Sequence, residues 1–275
     1  MLHKTELPAL TQKTAQTLID RIGSIPLFAH AYSFHLNFRF GNFGPLDLLG
    51  FAADNRLKGV KIHMLDGEEN SLGNADLARL AEFRNKAESL NLDVHLEISE
   101  TERTSLQKAI EVGHQINASS IRCYPRYEGH VSTIIDRTIR DLKALRELDP
   151  DGKLRFTLEQ HEDLTSAELI QIVDAVGNPN LSLLFDFANM VNAFERPFDA
   201  LETMAPYITD VHIKDAKIIE DRGGWGQMCC RSGDGDIPQA GLLLALLCLG
   251  KNDSQVLAYG LEEEVGYYAP PLRFP

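Results

Sequence analysis

Cysteine is scarce in this chain of 275 residues. There are four, Cys123, Cys229, Cys230 and Cys248, and no Cys-x-x-Cys pair. A disulfide framework needs a higher density of cysteines, and thiolate metal sites need paired spacing. The cysteines are therefore expected to be buried or incidental thiols, as is typical of proteins of the reducing cytoplasm.

Long apolar runs are also missing. The longest, residues 242–249, has about half the length that a helix needs to cross a bilayer. Residues 1–10 mix charged side chains with Pro8 and lack the apolar core of a signal peptide. We therefore expect a cytoplasmic protein without a membrane partner.

Positive charge is in deficit, because 27 Lys and Arg face 40 Asp and Glu for a formal net charge of −13. A nucleic-acid-binding surface needs clustered Lys and Arg, and no run of the chain supplies them. The charge balance disfavours a broad nucleic-acid interface, whereas acidic clefts that suit divalent cations are compatible with it.

What the chain does contain is a regular alternation of strand and helix patterns. The strand-like segments are residues 27–34, 59–65, 92–98, 119–124, 154–160, 181–187, 208–214 and 256–262. Helical periodicity covers residues 74–90, 104–116, 131–148, 166–176, 198–205 and 238–249. A further helix over residues 10–22 precedes the first strand.

Eight strands alternating with helices are typical of an α/β fold of the (β/α)8 TIM barrel type. A doubly wound sheet is the competing fold, but it usually has a glycine-rich turn after its first strand. Here the first strand runs into Ser33-Phe34-His35. Without a linker or repeat, residues 1–275 are predicted to form a single barrel domain, with residues 1–24 as an N-terminal helical extension.

The strands have one apolar and one polar face. In the seventh, Val211 and Ile213 oppose Asp210, His212 and Lys214. Because the helices of a barrel cover its outside, the apolar set is expected to face them and the polar set to point inward. Buried ionisable groups are costly unless they are paired or bind a metal. The polar interior therefore indicates a functional site.

Four inward residues stand at C-terminal strand ends, where barrel active sites form. They are Glu159, Asp186, His212 and Glu262. Three carboxylates and one imidazole suit one divalent ion such as Mn²⁺, Mg²⁺ or Co²⁺, and they also admit Zn²⁺. The pattern therefore predicts a metal site.

At these positions the chain resembles the xylose isomerase-like barrels of sugar phosphate isomerases and epimerases. The matching segments are Leu158-Glu159-Gln160-His161-Glu162, Phe185-Asp186-Phe187-Ala188-Asn189, Val211-His212-Ile213-Lys214-Asp215, Gly233-Asp234-Gly235-Asp236-Ile237 and Leu261-Glu262-Glu263-Glu264. They cover residues 154–264, whereas the first half of the chain matches the family only in its alternation of strand and helix patterns. The resemblance implies that Glu159, Asp186, His212 and Glu262 hold one divalent metal, and that Glu159 and Glu262 also move protons at the reacting carbon.

The chain departs from the family at two places. Asn189 stands where many relatives carry His. Relatives that epimerise ketoses carry an Arg several residues before the glycine motif, whereas Arg231 lies only two residues before Gly233. Related endonucleases of the endonuclease IV type have more His ligands and three zinc ions, and the present chain offers no such cluster.

Other inward side chains are predicted to bind substrate. His63 and His95, on the second and third strands, either contact substrate or complete a larger metal cluster. Arg122 either orients a substrate carboxylate or hydroxyl, or neutralises a neighbouring glutamate. Lys214 either polarises a carbonyl or forms an ion pair with a carboxylate, and Arg231 is included through the resemblance.

Strand parity also separates the three glutamates after the eighth strand. Glu263 shares the outward parity of Leu261 and is rejected as a ligand. Glu264 shares the inward parity of Glu262 and is expected to act as an acceptor behind the ligands.

These predictions favour a divalent-metal-dependent isomerase or epimerase, which moves a proton next to a carbonyl of a small sugar or sugar-derived substrate. The alternative is a metal-dependent lyase, a dehydratase or decarboxylase, acting on a sugar-derived keto acid or an inosose-like substrate. A non-catalytic sugar-binding barrel and an endonuclease IV-like enzyme are less favoured. The expected partner is a small molecule, and the sequence leaves open whether the chain forms a homo-oligomer.

Overall fold

A closed barrel of parallel strands dominates the computed structural model of the protein, which describes residues 11–161 and 163–275. The strands in these residues are β1 (Leu27–His30), β2 (Gly59–His63), β3 (Asp93–Glu97), β4 (Ser120–Cys123), β5 (Arg155–Glu159), β6 (Leu181–Asp186), β7 (Ile208–Ile213), β8 (Asp215–Asp221), β9 (Gly224–Cys230), β10 (Ala258–Leu261) and β11 (Tyr268–Ala269). Strands β1 to β7 pair in chain order, and β10 closes the ring between β7 and β1. The predicted (β/α)8 fold is confirmed.

Helices alternate with the barrel strands. They are α1 (Gln12–Ile22), α2 (His35–Arg39), α3 (Pro45–Asp54), α4 (Leu77–Ser89), α5 (Arg103–Gln115), α6 (Val131–Leu142), α7 (Leu145–Leu148), α8 (Ser166–Val176), α9 (Pro197–Met204) and α10 (Gln239–Leu247). Helix α8 has the predicted bounds because both ends carry local signals. Thr165 and Glu168 form a capping box, and Gly177 ends the helix at a φ of 61°.

Two predicted elements differ clearly from the structure, and the others differ by at most a few residues at their ends. The first strand was expected over residues 27–34 but ends at His30, whose side chain accepts a hydrogen bond from the Tyr32 amide and begins a 3₁₀ turn over Ala31–Phe34. The predicted helix over residues 131–148 divides into α6 and α7.

The barrel interior is polar, as the strand alternation predicted. Val60 and Ile62 of β2 are fully buried in the apolar core, whereas Lys61 between them forms an ion pair across the barrel. Its Nζ lies 2.5 Å from Oδ1 of Asp210 on β7, and Nδ1 of His95 on β3 lies 3.1 Å from the other oxygen. These three side chains form a buried polar layer inside the barrel.

An antiparallel hairpin follows β7, in a part of the chain where the sequence predicted no strand. Strand β8 pairs with β9, and β11 near the C-terminus adds a third strand. Asp215 fixes the segment after the hairpin, because its carboxylate accepts hydrogen bonds from the amides of Gly233, Gly235 and Ile237. The hairpin extends the barrel beyond the C-terminal end of β7.

The additional N-terminal helix is present as α1, although Leu10, the first residue of the predicted helix, lies outside the described residues. Helix α1 packs against α10. Its Arg21 donates hydrogen bonds to the carbonyls of Leu247 and Leu249 at the C-terminal end of α10. The last carbonyls of a helix have no partner within the helix and need such donors. Among the described residues, no helix has the length and apolar character needed to cross a bilayer.

Candidate metal centre and substrate pocket

The four predicted metal ligands meet at one end of the barrel. Glu159 and Asp186 are the last residues of β5 and β6, His212 lies on β7, and Glu262 directly follows β10. All four side chains are buried. His212 Nδ1 lies 3.4 Å from Glu159 Oε1 and 3.4 Å from Glu262 Oε2. Potential ligand atoms of Glu159, Asp186 and His212 all lie within 4.8 Å of one another.

Three buried atoms of this cluster make no hydrogen bond of acceptable geometry within the described residues. They are Oε2 of Glu159, Oδ2 of Asp186 and Nδ1 of His212. Glu159 Oε2 and Asp186 Oδ2 each lie 3.2 Å from a cation, Arg122 Nε and Lys214 Nζ respectively, and His212 Nδ1 lies 3.4 Å from two glutamate oxygens. These ion-pair contacts lack hydrogen-bond geometry, whereas buried polar atoms are nearly always hydrogen-bonded. A divalent cation between them would use the two oxygens and the nitrogen as ligands, and carboxylate and imidazole groups suit such ions. The residues therefore fit a metal ion.

Glu97, at the end of β3, holds the cluster together and was not assigned a role from the sequence. Its Oε1 lies 3.1 Å from His212 Nε2, and its Oε2 lies 3.0 Å from His30 Nε2 and 2.5 Å from an Arg122 nitrogen. Accepting the Nε2 proton of His212 leaves Nδ1 of that ring free to bind a metal. Burial raises the pKa of Glu97, but Arg122, His30 and His212 outweigh it and hold the pKa well below its usual value.

Lys214 is held in ion pairs, one of the two roles that the sequence left open for it. Its Nζ lies 3.2 Å from Asp186 Oδ2, 3.4 Å from Glu262 Oε2 and 3.3 Å from Glu264 Oε2. Glu264 is buried and faces this cluster, in agreement with its inward parity. Glu263 instead accepts a hydrogen bond from the amide of Ser232 outside the cluster.

Arg122 likewise contacts carboxylates. Besides Glu97, its Nε lies 3.2 Å from Glu159 Oε2. Burial raises the pKa of Glu159, but Arg122 and His212 prevail and lower it to about 2. Glu159 is therefore charged at neutral pH.

Negative charge dominates the cluster. The buried carboxylates are Glu97, Glu159, Asp186, Glu262 and Glu264, and the buried permanent cations beside them are Arg122 and Lys214. Burial raises the pKa of Asp186 to about 7, against the opposing charge of Lys214. The carboxylates of Glu262 and Glu97 hold the pKa of His212 well above its usual value despite burial. A divalent cation would relieve this excess of negative charge.

A cavity of about 260 Å³ opens above the cluster. Its size is slightly below the roughly 300–1,000 Å³ that is typical of ligand pockets, so it suits a small molecule. The described residues that line it are His30, Tyr32, His63, Asp66, Glu97, Ser99, Arg122, Tyr124, Arg126, Glu159, His161, Lys214, Glu262, Glu264 and Tyr267. Another cavity, of about 310 Å³, lies between the segment joining α2 to α3 and helix α4, and shares no lining residue with the first.

The structure brings three of the five predicted substrate-binding residues to this pocket: His63, Arg122 and Lys214. Burial lowers the pKa of His63 to about 4, with Arg122 acting in the same direction, so its imidazole is neutral at pH 7. His95 instead belongs to the polar layer with Lys61.

Arg231 also does not line the pocket. It is 77% exposed after the hairpin and lies 3.2 Å from Asp234 in a surface ion pair. The resemblance suggested this arginine, but the turn after β9 directs its side chain towards solvent.

The hairpin supports one edge of the site. Asn189, which replaces the His of many relatives, donates to Glu159 Oε1 at 3.4 Å and accepts from Gln227 of β9 at 3.3 Å. Trp225 stacks on Phe194 at 4.4 Å between ring centroids and is absent from the described pocket lining. It therefore anchors the hairpin.

Fold and site together define a (β/α)8 barrel with a carboxylate–histidine centre at the C-terminal ends of its strands. Comparison with known proteins gives the particular family: the sequence model of the xylose isomerase-like TIM barrel family matches residues 89–250. The chain belongs to this family.

Two curated relatives are similar in sequence. The chain is 51% identical over 265 residues to YihM of Escherichia coli (strain K12), an uncharacterized protein. The match covers 96% of this chain and 81% of YihM. It is 23% identical over 186 residues to the 3-oxo-isoapionate decarboxylase of Pectobacterium atrosepticum, which covers 67% of each chain.

Solved structures are similar in fold. A D-allulose 3-epimerase from Methylomonas sp. in complex with D-allulose matches with a TM-score of 0.65 and 17% identity, covering 87% of this chain and 84% of that one. The 3-DHS dehydratase AsbF from Bacillus anthracis matches with a TM-score of 0.64 and 14% identity, covering 86% and 92%. The IOLI protein with a bound zinc atom matches with a TM-score of 0.67 and 16% identity, covering 86% and 88%.

Proposed function

We propose that the protein is a divalent-metal-dependent isomerase or epimerase that transfers a proton next to a carbonyl of a small sugar or sugar-derived substrate. One observation carries the proposal. Buried ligand atoms of Glu159, Asp186 and His212 that make no hydrogen bond within the described residues converge beside Glu262, next to a small polar cavity that Glu159 and Glu262 line. The proposal includes a small-molecule substrate as the partner and a cytoplasmic location.

Glu159, Asp186, His212 and Glu262 would hold the ion, which is Mn²⁺, Mg²⁺, Co²⁺ or Zn²⁺ by the chemistry of these ligands. When bound, such an ion polarises a substrate carbonyl and acidifies the neighbouring C–H group. Glu97 orients His212 through its Nε2 proton. The relative solved with zinc supports the assignment of a divalent ion.

Glu159 and Glu262 are the proposed acid–base pair. They lie at the ends of β5 and β10, which are three steps apart around the ring because β6 and β7 separate them. Both line the cavity and approach His212 Nδ1 at the same distance of 3.4 Å. A substrate in the cavity would therefore lie between them, so that one glutamate removes a proton and the other returns one.

Lys214 and His30 are placed to bind substrate oxygens. Both line the cavity, and each contacts Glu262, with Nζ of Lys214 at 3.4 Å and Nε2 of His30 at 3.3 Å. Donors fixed beside a proton-transfer group stabilise negative charge that develops on a substrate oxygen. These contacts also hold the Glu262 carboxylate in place.

A lyase is the second candidate. The curated relative that matches 67% of this chain is a decarboxylase, and one of the similar folds is a dehydratase. Loss of CO₂ or of a hydroxyl group generates or consumes the same substrate carbanion as proton transfer does. Product identification separates this candidate from an isomerase.

Solvent exchange tests the proposal. A panel of ketoses and keto acids is incubated with the protein and Mn²⁺ in D₂O, and deuterium incorporation and products are measured by mass spectrometry. We expect exchange of one carbon-bound hydrogen, which falls by about 10²–10⁴-fold in Glu159→Gln and in Glu262→Gln. Glu263→Gln, next in the chain but outside the cluster, is the matched control and should retain the wild-type rate.

Metal content is measured on the same samples. A Glu→Gln variant that binds metal and exchanges at the wild-type rate would remove that glutamate from the mechanism. If wild-type protein binds sugars but exchanges none of them, the barrel is a binding protein and the proposed activity is wrong.

A further inference from the structure

The mouth of the substrate pocket carries an arginine, Arg126, with which the described carboxylates form no ion pair. Arg126 lies in the loop between β4 and α6, is exposed, and lines the same cavity as Glu159 and Glu262. Arg122 and Lys214, the other arginine and the lysine among the described lining residues, are buried in ion pairs. Within residues 11–161 and 163–275, no carboxylate lies within ion-pair distance of Arg126.

The guanidinium group of Arg126 is held in position by aromatic and hydroxyl groups. It lies over the ring of Tyr124, 4.8 Å from the centroid, and one of its nitrogens donates to the Tyr124 hydroxyl at 2.7 Å. That hydroxyl donates to Ser99 Oγ at 2.8 Å. Tyr124 is itself stacked on His161, with centroids 3.9 Å apart and planes 8° from parallel. An arginine fixed in this way loses little further freedom when it binds a ligand.

The remaining donors of this arginine suit a carboxylate. A guanidinium group presents parallel N–H donors whose spacing matches the two oxygens of a carboxylate, whereas a hydroxyl group can use only one of them. The chain has a net charge of −13, so an anionic substrate needs a local cation at the entrance. The exposed Arg126 lies nearer the solvent than the buried Glu159 and Asp186, which places it against the end of the substrate that is remote from the proton transfer.

We propose that Arg126 binds a substrate carboxylate, and that the substrate is therefore a hydroxylated keto acid rather than a neutral ketose. This inference rests on the proposed function, because it places the reacting carbonyl at the carboxylate–histidine centre. It assigns the opposite end of the substrate to the loop between β4 and α6.

A matched set of sugars tests the carboxylate site. D-Fructose, D-fructuronate and D-fructose 6-phosphate differ only at the sixth carbon, and their dissociation constants are measured by calorimetry with and without Mn²⁺. We expect D-fructuronate to bind on the order of 10–100-fold more tightly than D-fructose, as charge-assisted hydrogen bonds require. In Arg126→Gln this preference should disappear, and Arg126→Lys should retain part of it.

Arg137→Gln is the matched control, because Arg137 also lies over a tyrosine ring, that of Tyr127, but does not line the pocket. It should preserve the wild-type preference. Equal affinity for D-fructose and D-fructuronate, no measurable binding of either, or an undiminished preference in Arg126→Gln would overturn the inference. A clear preference for D-fructose 6-phosphate over D-fructuronate would assign the site to phosphate and also overturn it.

These outcomes are distinguishable from failure of the proposed function. Binding of Mn²⁺ is titrated on wild type and Arg126→Gln before sugar is added. If the metal binds equally to both and the acid preference is absent, the carboxylate site is wrong and the metal centre stands. If no metal binds but the preference for D-fructuronate depends on Arg126, the metal centre is wrong and the carboxylate site stands.

Discussion

Glu97 shows how a single buried carboxylate can set the chemistry of its neighbours. It contacts His30, Arg122 and His212, and all three in turn contact Glu262 or Glu159. Removing one partner of such a network is costly, because the remaining charges stay buried. Strand parity places Glu97 inward, but only the folded barrel shows that it lies opposite His212.

Replacing Glu97 with Gln should weaken metal binding by about 10–100-fold, because the amide cannot accept hydrogen bonds from both His212 and the Arg122–His30 pair. Titration with Mn²⁺ measures the effect. Glu100→Gln, an exposed position three residues further along the chain, serves as the control and should bind as wild type does. An unchanged affinity in folded Glu97→Gln would show that this carboxylate does not orient the ligand.

Elements whose ends carry local signals agree best with the sequence prediction. Helix α8 begins and ends at the predicted residues, since its cap residues adjoin it in the chain. No strand was predicted for the β8–β9 hairpin, because its stability depends on distant contacts. These include the pairing of β9 with β11 and the stacking of Trp225 on Phe194.

Strand β10 passes close to the polar interior, which requires Gly260. A Cβ atom there would lie 2.5 Å from Cδ of Lys61 and 3.2 Å from Cδ2 of His212. Lys61 cannot move aside easily, because it is fully buried and paired with Asp210. Gly260 therefore lets β10 lie close both to Lys61 of the buried polar layer and to His212, a proposed metal ligand.

We expect Gly260→Ala to destabilise the fold by about 1–3 kcal/mol through overpacking. Urea unfolding measures the change. Gly50→Ala is the control, since Gly50 lies in α3 and a Cβ atom added there would meet nothing within 4 Å, and it should stabilise the fold by about 0.5–1 kcal/mol. Equal stability of Gly260→Ala and wild type would contradict this account of the close approach.

At the scale of the whole molecule, the alternation of eight strands with helices was enough to predict the closed barrel. Each strand–helix unit is local, and the polar faces of the strands identified which side chains point inward. The same reasoning predicted that Glu159, Asp186, His212 and Glu262 face one region, and the structure brings them together. The alternation along each strand shows only which side chains point inward. It does not show at which level along the barrel axis each of them lies.

The remaining differences at the site depend on the level of a side chain along the barrel axis and on the course of the loops. His95 has the inward parity of Glu97 but lies two residues earlier on β3, and so it meets Asp210 rather than the pocket. Arg231 follows the hairpin, whose course depends on non-local pairing, and its side chain is exposed. Arg126 was not identified because its loop has no periodic pattern, and its proximity to Tyr124 is a property of the fold.

The central claim is that the polar interior of the barrel holds one divalent ion. The most direct measurement is anomalous diffraction from crystals of the protein prepared with Mn²⁺. We predict one peak per chain, at about 2.0–2.6 Å from ligand atoms of Glu159, Asp186, His212 and Glu262, and its loss in Asp186→Asn. Absence of a peak there in the wild type, or an equal peak in Asp186→Asn, would contradict the account.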